Sequence, residues 1–235
     1  MMSRTTVFVG LLWCSIWIGI AGAGFDGSDG GVEYYTKLRM DFAASKDFSP
    51  MWDQDPEREK AVELLRNGKT REGNTALQAY LKKNPVDTRI HLYCAVSAME
   101  LKDWALASKH LAIYHGLLAS IGASASGATV NDPIKVISIQ EEYDFLDSLN
   151  IETAGQSLIS NDSGTPVDAI DCTLENESFV VYFDATIPMS YWGKLLDQTE
   201  DSEETTDPGT PTDPAKTAAE KTDSPVSVPG EARNE

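Results

Sequence analysis

The sequence has few of the residues from which reactive or cross-linked sites are built. It contains three cysteines and three histidines among 235 residues. Cys14 lies in an apolar N-terminal run, which leaves Cys94 and Cys172, both in apolar patterns where buried free thiols are common. So few cysteines exclude a small secreted domain held together by disulfides. We expect two core thiols, although an oxidising compartment would permit a bridge between them.

Basic residues are also scarce. Lys and Arg number 19 against 37 Asp and Glu, and the formal net charge is −18. The basic residues form no stripe, and an acidic field repels both phosphate backbones and anionic lipid. We therefore expect neither nucleic-acid nor membrane-surface binding. The simplest explanation of the acidic composition is that it keeps the protein soluble.

Catalytic motifs are missing as well. The sequence has no G-x-S-x-G, no P-loop and no dinucleotide-binding glycine pattern. The histidines, His91, His110 and His115, have no cysteine or carboxylate at ligand spacing, so we expect them to pack between helices or to lie on the surface. The sequence thus predicts no catalytic residue, no metal site and no cofactor.

Acidic side chains cluster once in the body of the chain, at Glu141, Glu142, Asp144 and Asp147. Such a group is compatible with a cation site or an acid/base pair. Because the carboxylates spread around one predicted helix, and its first turn favours acidic residues, we expect a solvated helix face instead. Asp184, in an otherwise apolar strand, is expected to be ion-paired and not catalytic.

The N terminus carries the pattern of a signal peptide. Arg4 precedes an apolar run from Val7 to Ile20, and small residues follow at Ala21 and Ala23. This small-x-small pattern predicts cleavage before Gly24 and an exported protein, periplasmic or extracellular. A retained membrane anchor is the alternative, but the run is shorter than the roughly 20 apolar residues of a spanning helix. After cleavage we expect no stable membrane insertion.

Composition divides the remaining chain. The last 39 residues are rich in Thr, Pro, Asp and Glu and nearly free of large apolar side chains, so they are predicted to be disordered. The predicted parts are a signal peptide (1–23), a partly ordered N-terminal segment (24–55), a helical part (56–121), a linker (122–132), a small α+β part (133–196) and a disordered acidic tail (197–235).

Apolar spacing predicts four helices in the helical part, starting at Pro56, Thr70, Ile90 and Trp104. Ala76-(x3)-Tyr80 and Ala107-(x3)-Leu111 resemble the second helices of tetratricopeptide repeats, with the two alanines 31 residues apart. The corresponding first-helix positions depart from that family's pattern. Fewer than three repeats are present, so we expect another part of the chain to cover the exposed helical face.

The following part alternates between strand and helix patterns. The predicted order is strand, helix, strand, strand, strand, at residues 134–139, 140–149, 153–160, 167–174 and 178–185. The fold class is therefore α+β, with tetratricopeptide-like antiparallel helices packed against a small, mostly antiparallel sheet.

Three segments carry a second resemblance: Ile137–Leu146, Gly155–Leu158 and Tyr182–Asp184. Together with the preceding helices they resemble an uncharacterised family of exported bacterial proteins, a domain of unknown function, over residues 34–192. The resemblance implies that helices and sheet form a single unit. It implies no activity and no functional residues.

These observations predict a non-catalytic protein-interaction module of the bacterial envelope, with an unidentified protein or peptide partner that binds the helical face or the junction of helices and sheet. The alternative is an enzyme or small-ligand binder whose site lies at that junction. Aromatic residues flank both halves, and we expect most of them to clamp the flanking segments onto the core instead of lining a ligand groove. They are Tyr34, Tyr35, Phe42, Phe48, Trp52, Tyr191 and Trp192.

Overall fold

The structure is a computed structural model that describes residues 30–203, with side chains described up to residue 196. The predicted signal peptide with Ala21, Ala23 and Gly24, and the acidic tail beyond residue 203, lie outside the described residues. Within them the chain forms seven α-helices and one four-stranded sheet, so the predicted α+β class is confirmed.

The helices are α1 (Gly31–Ala43), α2 (Pro56–Arg66), α3 (Thr70–Tyr80), α4 (Thr88–Glu100), α5 (Trp104–Gly122), α6 (Ile139–Ser148) and α7 (Thr186–Glu203), and the strands are β1 (Ile134–Lys135), β2 (Glu152–Ser160), β3 (Pro166–Leu174) and β4 (Glu177–Asp184).

Aspartate caps fix the start of three of the four predicted helices. Asp55 accepts hydrogen bonds from the backbone N–H groups that begin α2, Asp87 does the same for α4, and Asp103 for α5. A side-chain acceptor at this position satisfies a donor that has no partner inside the helix. Helices α2 to α5 thus confirm the four predicted helices, with α5 extending further than expected, to Gly122.

Helix α1 packs along α5 at a site without room for a side chain. A methyl group on Gly116 of α5 would overlap the ring of Tyr35 on α1. Tyr35, Phe42 and Trp52 are buried with Leu117 in a cluster that joins the N-terminal segment to the body. Three of the flanking aromatic residues therefore clamp this segment onto the core, as expected.

Replacing Gly116 by alanine should separate α1 from α5. Because the added methyl meets a buried ring, we expect the free energy of unfolding to fall by about 1–3 kcal/mol, measured by urea denaturation. Gly193 of α7 is the matched control, because a methyl there would meet nothing within 4 Å. Gly193→Ala should leave stability unchanged or raise it slightly. Equal stability of the two variants would contradict the close packing of α1 on α5.

The sheet has the strand order β1-β4-β3-β2. Strands β2, β3 and β4 pair antiparallel and match the three last predicted strands within one residue, while β1 pairs parallel to β4. The predicted strand at 134–139 is wrong beyond Lys135. Ser138 accepts a hydrogen bond from the N–H of Glu141 and caps α6, so the chain must leave the sheet before it.

The main core lies between the sheet and helices α5 and α6, and a second cluster lies among α2, α3 and α4. Cys172 belongs to the first and Cys94 to the second, and both are buried free thiols. The expectation of two core thiols is confirmed. Noncovalent packing therefore holds the described part of the chain together.

Candidate functional site

A groove of about 740 Å³ runs between α1, α3 and α5. Tyr34 and Leu38 of α1 form one wall, and Gln78 of α3 lies on another. Lys82 and Lys109 stand on its rim and are exposed. The groove is open to solvent and mixes aromatic, aliphatic and cationic groups.

The charge of this groove differs from that of the whole chain. None of its lining residues is acidic, although Asp and Glu outnumber Lys and Arg by 37 to 19. Lys82 follows α3 and Lys109 lies on α5, so the fold brings together two cations that are distant in the sequence. An anionic ligand is therefore attracted to this groove although the chain as a whole carries a negative net charge.

Two of the three histidines meet at the floor of the groove. Nδ1 of His91 lies 2.9 Å from Nδ1 of His110, and Nε2 of His91 lies 3.1 Å from the carbonyl oxygen of Pro85. A carbonyl only accepts, so Nε2 of His91 carries the proton and its Nδ1 accepts. His110 must then donate from Nδ1, which leaves its Nε2 as an acceptor.

The surroundings of the pair favour these neutral tautomers. Burial lowers the pKa of His91 to about 4. Burial, followed by the charge of Lys109, lowers the pKa of His110. His91 and His110 thus pack between helices as expected, and His115 is exposed on another side of α5.

The acidic residues of α6 do not form the solvated face that the sequence predicted. Glu141, Glu142 and Asp144 are at most 5% exposed, and only Asp147 fits the expectation. The prediction failed because their partners are distant in the sequence. Arg89 of α4 binds both Asp144 and Asp147, at 2.6 and 2.7 Å.

Glu141 is the acceptor of the most enclosed ion pair of the fold. Nε and Nη2 of Arg39 lie 2.8 and 2.6 Å from its two carboxylate oxygens, and the side chains are 1% exposed. Arg39 also donates to the carbonyl of Lys135, and the N–H of Ile137 donates to Glu141. This two-pronged contact ties α1 to α6 and to the chain before it.

Glu142, unlike Glu141, has no basic partner among the described residues. It is completely buried, and neither carboxylate oxygen has a hydrogen-bond donor in the described part of the chain. Burial, followed by the neighbouring Asp168, raises the pKa of Glu142 well above its usual range. A protonated Glu142 can donate to Asp168, so one proton shared by two carboxyl groups satisfies both.

These buried charges hold separate elements of the fold together. Glu141 and Glu142 are sealed from solvent, and no cluster of His, Cys, Asp and Glu in the described residues has the arrangement of a metal site. Asp184 forms no ion pair with the described residues, contrary to expectation, and instead accepts a hydrogen bond from the N–H of Thr186, the first residue of α7. The junction between helices and sheet is filled by core side chains, which disfavours a catalytic site there.

Sequence reasoning missed the groove because its walls come from four separate segments. The pattern of tetratricopeptide-like helices predicted a binding surface, but nothing in it indicated that α1 would form a wall.

No protein-family model, curated protein or solved structure matches the chain. Within the described range, no helix is both long and apolar enough to cross a membrane.

Proposed function

We propose that this protein is a non-catalytic interaction module whose groove binds an acidic, extended segment of a protein partner. The observation that carries the proposal is the charge of the groove, which has Lys82 and Lys109 on its rim and no acidic lining residue in a strongly acidic chain. Complementary charge raises the encounter rate and selects among partners. Tyr34, 52% exposed, offers an amphipathic ring for an apolar side chain of the ligand.

His110 is the residue that we propose forms hydrogen bonds with carboxyl groups of the ligand in the groove. When His110 is neutral, its Nε2 accepts a hydrogen bond from a protonated carboxyl group. When His110 is protonated, the same atom donates to a carboxylate. His91 keeps the ring in place through the contact between the two Nδ1 atoms. The groove therefore combines two fixed cations at the rim with one adaptable hydrogen-bonding group at the floor.

The proposed location is the bacterial envelope, where a signal peptide would deliver the chain. Its support is the N-terminal pattern and the resemblance to exported bacterial proteins. The pairs α2/α3 and α4/α5 are the proposed tetratricopeptide-like unit, and α1 is the additional element that this short array requires.

The test uses fluorescein-labelled dodecapeptides that combine leucine with glutamate, glutamine or lysine. The glutamate peptide should bind the purified chain at least about tenfold more tightly than the other two, and added salt should reduce the difference. Fluorescence anisotropy measures each affinity.

Charge reversal at the rim supplies the control for this test. Lys82→Glu/Lys109→Glu should abolish the preference for the acidic peptide. Lys60→Glu/Lys69→Glu makes the same change in net charge at exposed positions that do not line the groove, so it should leave most of the preference. Equal losses in both double variants would refute a specific groove and leave only long-range attraction.

A further inference from the structure

The outer edge of the sheet has an unusual composition. Strand β2 is nine residues long, lies at the edge of the strand order, and is exposed at every position. Residues 153–160 contain no charge and no proline. Natural edge strands are usually protected by charged side chains, by proline, by a bulge or by a covering element. Of these devices β2 has a bulge, at Thr153/Gly155.

Both faces of this edge carry exposed apolar side chains. Leu158 is 52% exposed and Ile159 is 38% exposed, and neighbouring residues of a strand point to opposite faces. A helix docked on the sheet would cover one of them. A further strand that continues the sheet covers both, and it also pairs with the outward N–H and C=O groups of β2.

We propose that β2 pairs antiparallel with β2 of a second copy of this chain, so that two four-stranded sheets join into one. The charge pattern favours a copy as the partner. A chain with a net charge of −18 repels its own kind over most of its surface, but the eight uncharged residues of β2 place no like charges opposite each other.

The strand is also self-complementary in shape. A two-fold axis normal to the sheet requires one residue to face its own copy. With Ser157 at that point, the regular stretch beyond the bulge pairs with itself, and Ile159 lies opposite Gly155 of the second copy. Gly155 has no side chain of its own to meet Ile159, and Leu158 lies opposite Gln156 of the second copy.

Sedimentation equilibrium of the purified chain tests the pairing directly. We expect a monomer–dimer equilibrium, weakened at least about 100-fold by Leu158→Lys/Ile159→Lys, because four added cations then lie along the joined edges, with the two 158 positions as diagonal neighbours on one face. Val96→Lys/Met99→Lys adds the same charge at exposed apolar positions of α4 and should leave the dimer intact. A wild-type chain that stays monomeric at every concentration would overturn the proposal. The same monomer is the result expected if β2 pairs with a strand of a different protein and not with a second copy.

Disulfide trapping tests the register. Ser157→Cys should form an intermolecular disulfide under mild oxidation, because residues opposite each other in an antiparallel pair have Cα atoms roughly 4.5–5.5 Å apart. Ser108→Cys, at an exposed position of α5, is the control and should cross-link far more slowly. Equal cross-linking at both positions would count against the β2 pairing even if a dimer forms.

Discussion

Arg39→Met should lower the free energy of unfolding by about 3–5 kcal/mol, since removal of one partner leaves a buried charge without compensation. The partner is Glu141, which is 1% exposed and accepts two hydrogen bonds from the guanidinium. Methionine keeps most of the length of the aliphatic stem, so the loss reports the charge more than the packing. Urea denaturation at pH 7 measures it.

The control lies in the same helix. Lys37 and Asp41 of α1 form an ion pair whose side chains are 74% and 63% exposed. Exposed pairs contribute little, so Lys37→Met should cost less than about 1 kcal/mol. Equal losses for Lys37→Met and Arg39→Met would contradict the structural role of the buried pair.

A double variant separates the pair from the space that it fills. Arg39→Met/Glu141→Gln removes both charges and keeps an oxygen to accept the N–H of Ile137. It should be more stable than Arg39→Met alone, because no uncompensated charge remains in the interior. If the loss of stability in the double variant equals the sum of the losses in Arg39→Met and in Glu141→Gln, Arg39 and Glu141 do not act as a pair.

Glu142→Gln should stabilise the protein at neutral pH and make its stability less dependent on pH. The pKa of Glu142 is raised in the folded state, so the folded chain keeps a proton that the unfolded chain releases above its ordinary pKa of 4.5. Stability contributed by this group is complete below that pH and falls as pH rises toward the folded pKa. The slope is about 1.4 kcal/mol per pH unit for one proton.

The amide of glutamine removes this cost and can still donate to Asp168. We expect the variant to be more stable than the wild type at pH 7, by a margin that grows as pH rises toward the folded pKa of Glu142, measured by urea denaturation at several pH values. Burial also raises the pKa of Asp144, to about 6, so the comparison is clearest above pH 7, where Asp144 is largely ionised in both states. Glu63→Gln, at an exposed position of α2, is the matched control. An unchanged slope in Glu142→Gln would show that Glu142 is ionised in the fold.

Local signals predicted most of the fold. The caps at Asp55, Asp87 and Asp103 and the alternation in β2 to β4 come from neighbouring residues, and neighbours decide where helices and strands begin. Helix α1 escaped prediction because its inner face includes a charged residue, Arg39, which an apolar periodicity does not count.

The acidic face of α6 failed for a related physical reason. A carboxylate is buried only when a partner compensates it, and the partners of Glu141 and Asp144 come from α1 and α4. Sequence patterns along one helix contain no information about such a partner. Lys82 and Lys109 likewise lie in different elements, distant in the sequence, so the charge of the groove could not be predicted either.

The burial of the two thiols bears on how the protein matures. Burial raises the pKa of Cys94 to about 12 and that of Cys172 to about 11, and the thiolate is the form that oxidants and disulfides attack. Once folded, Cys94 and Cys172 should therefore resist mispairing and sulfenylation. Folding of the described residues therefore requires no disulfide bond, and growth without disulfide-forming enzymes should leave the yield of the protein unchanged.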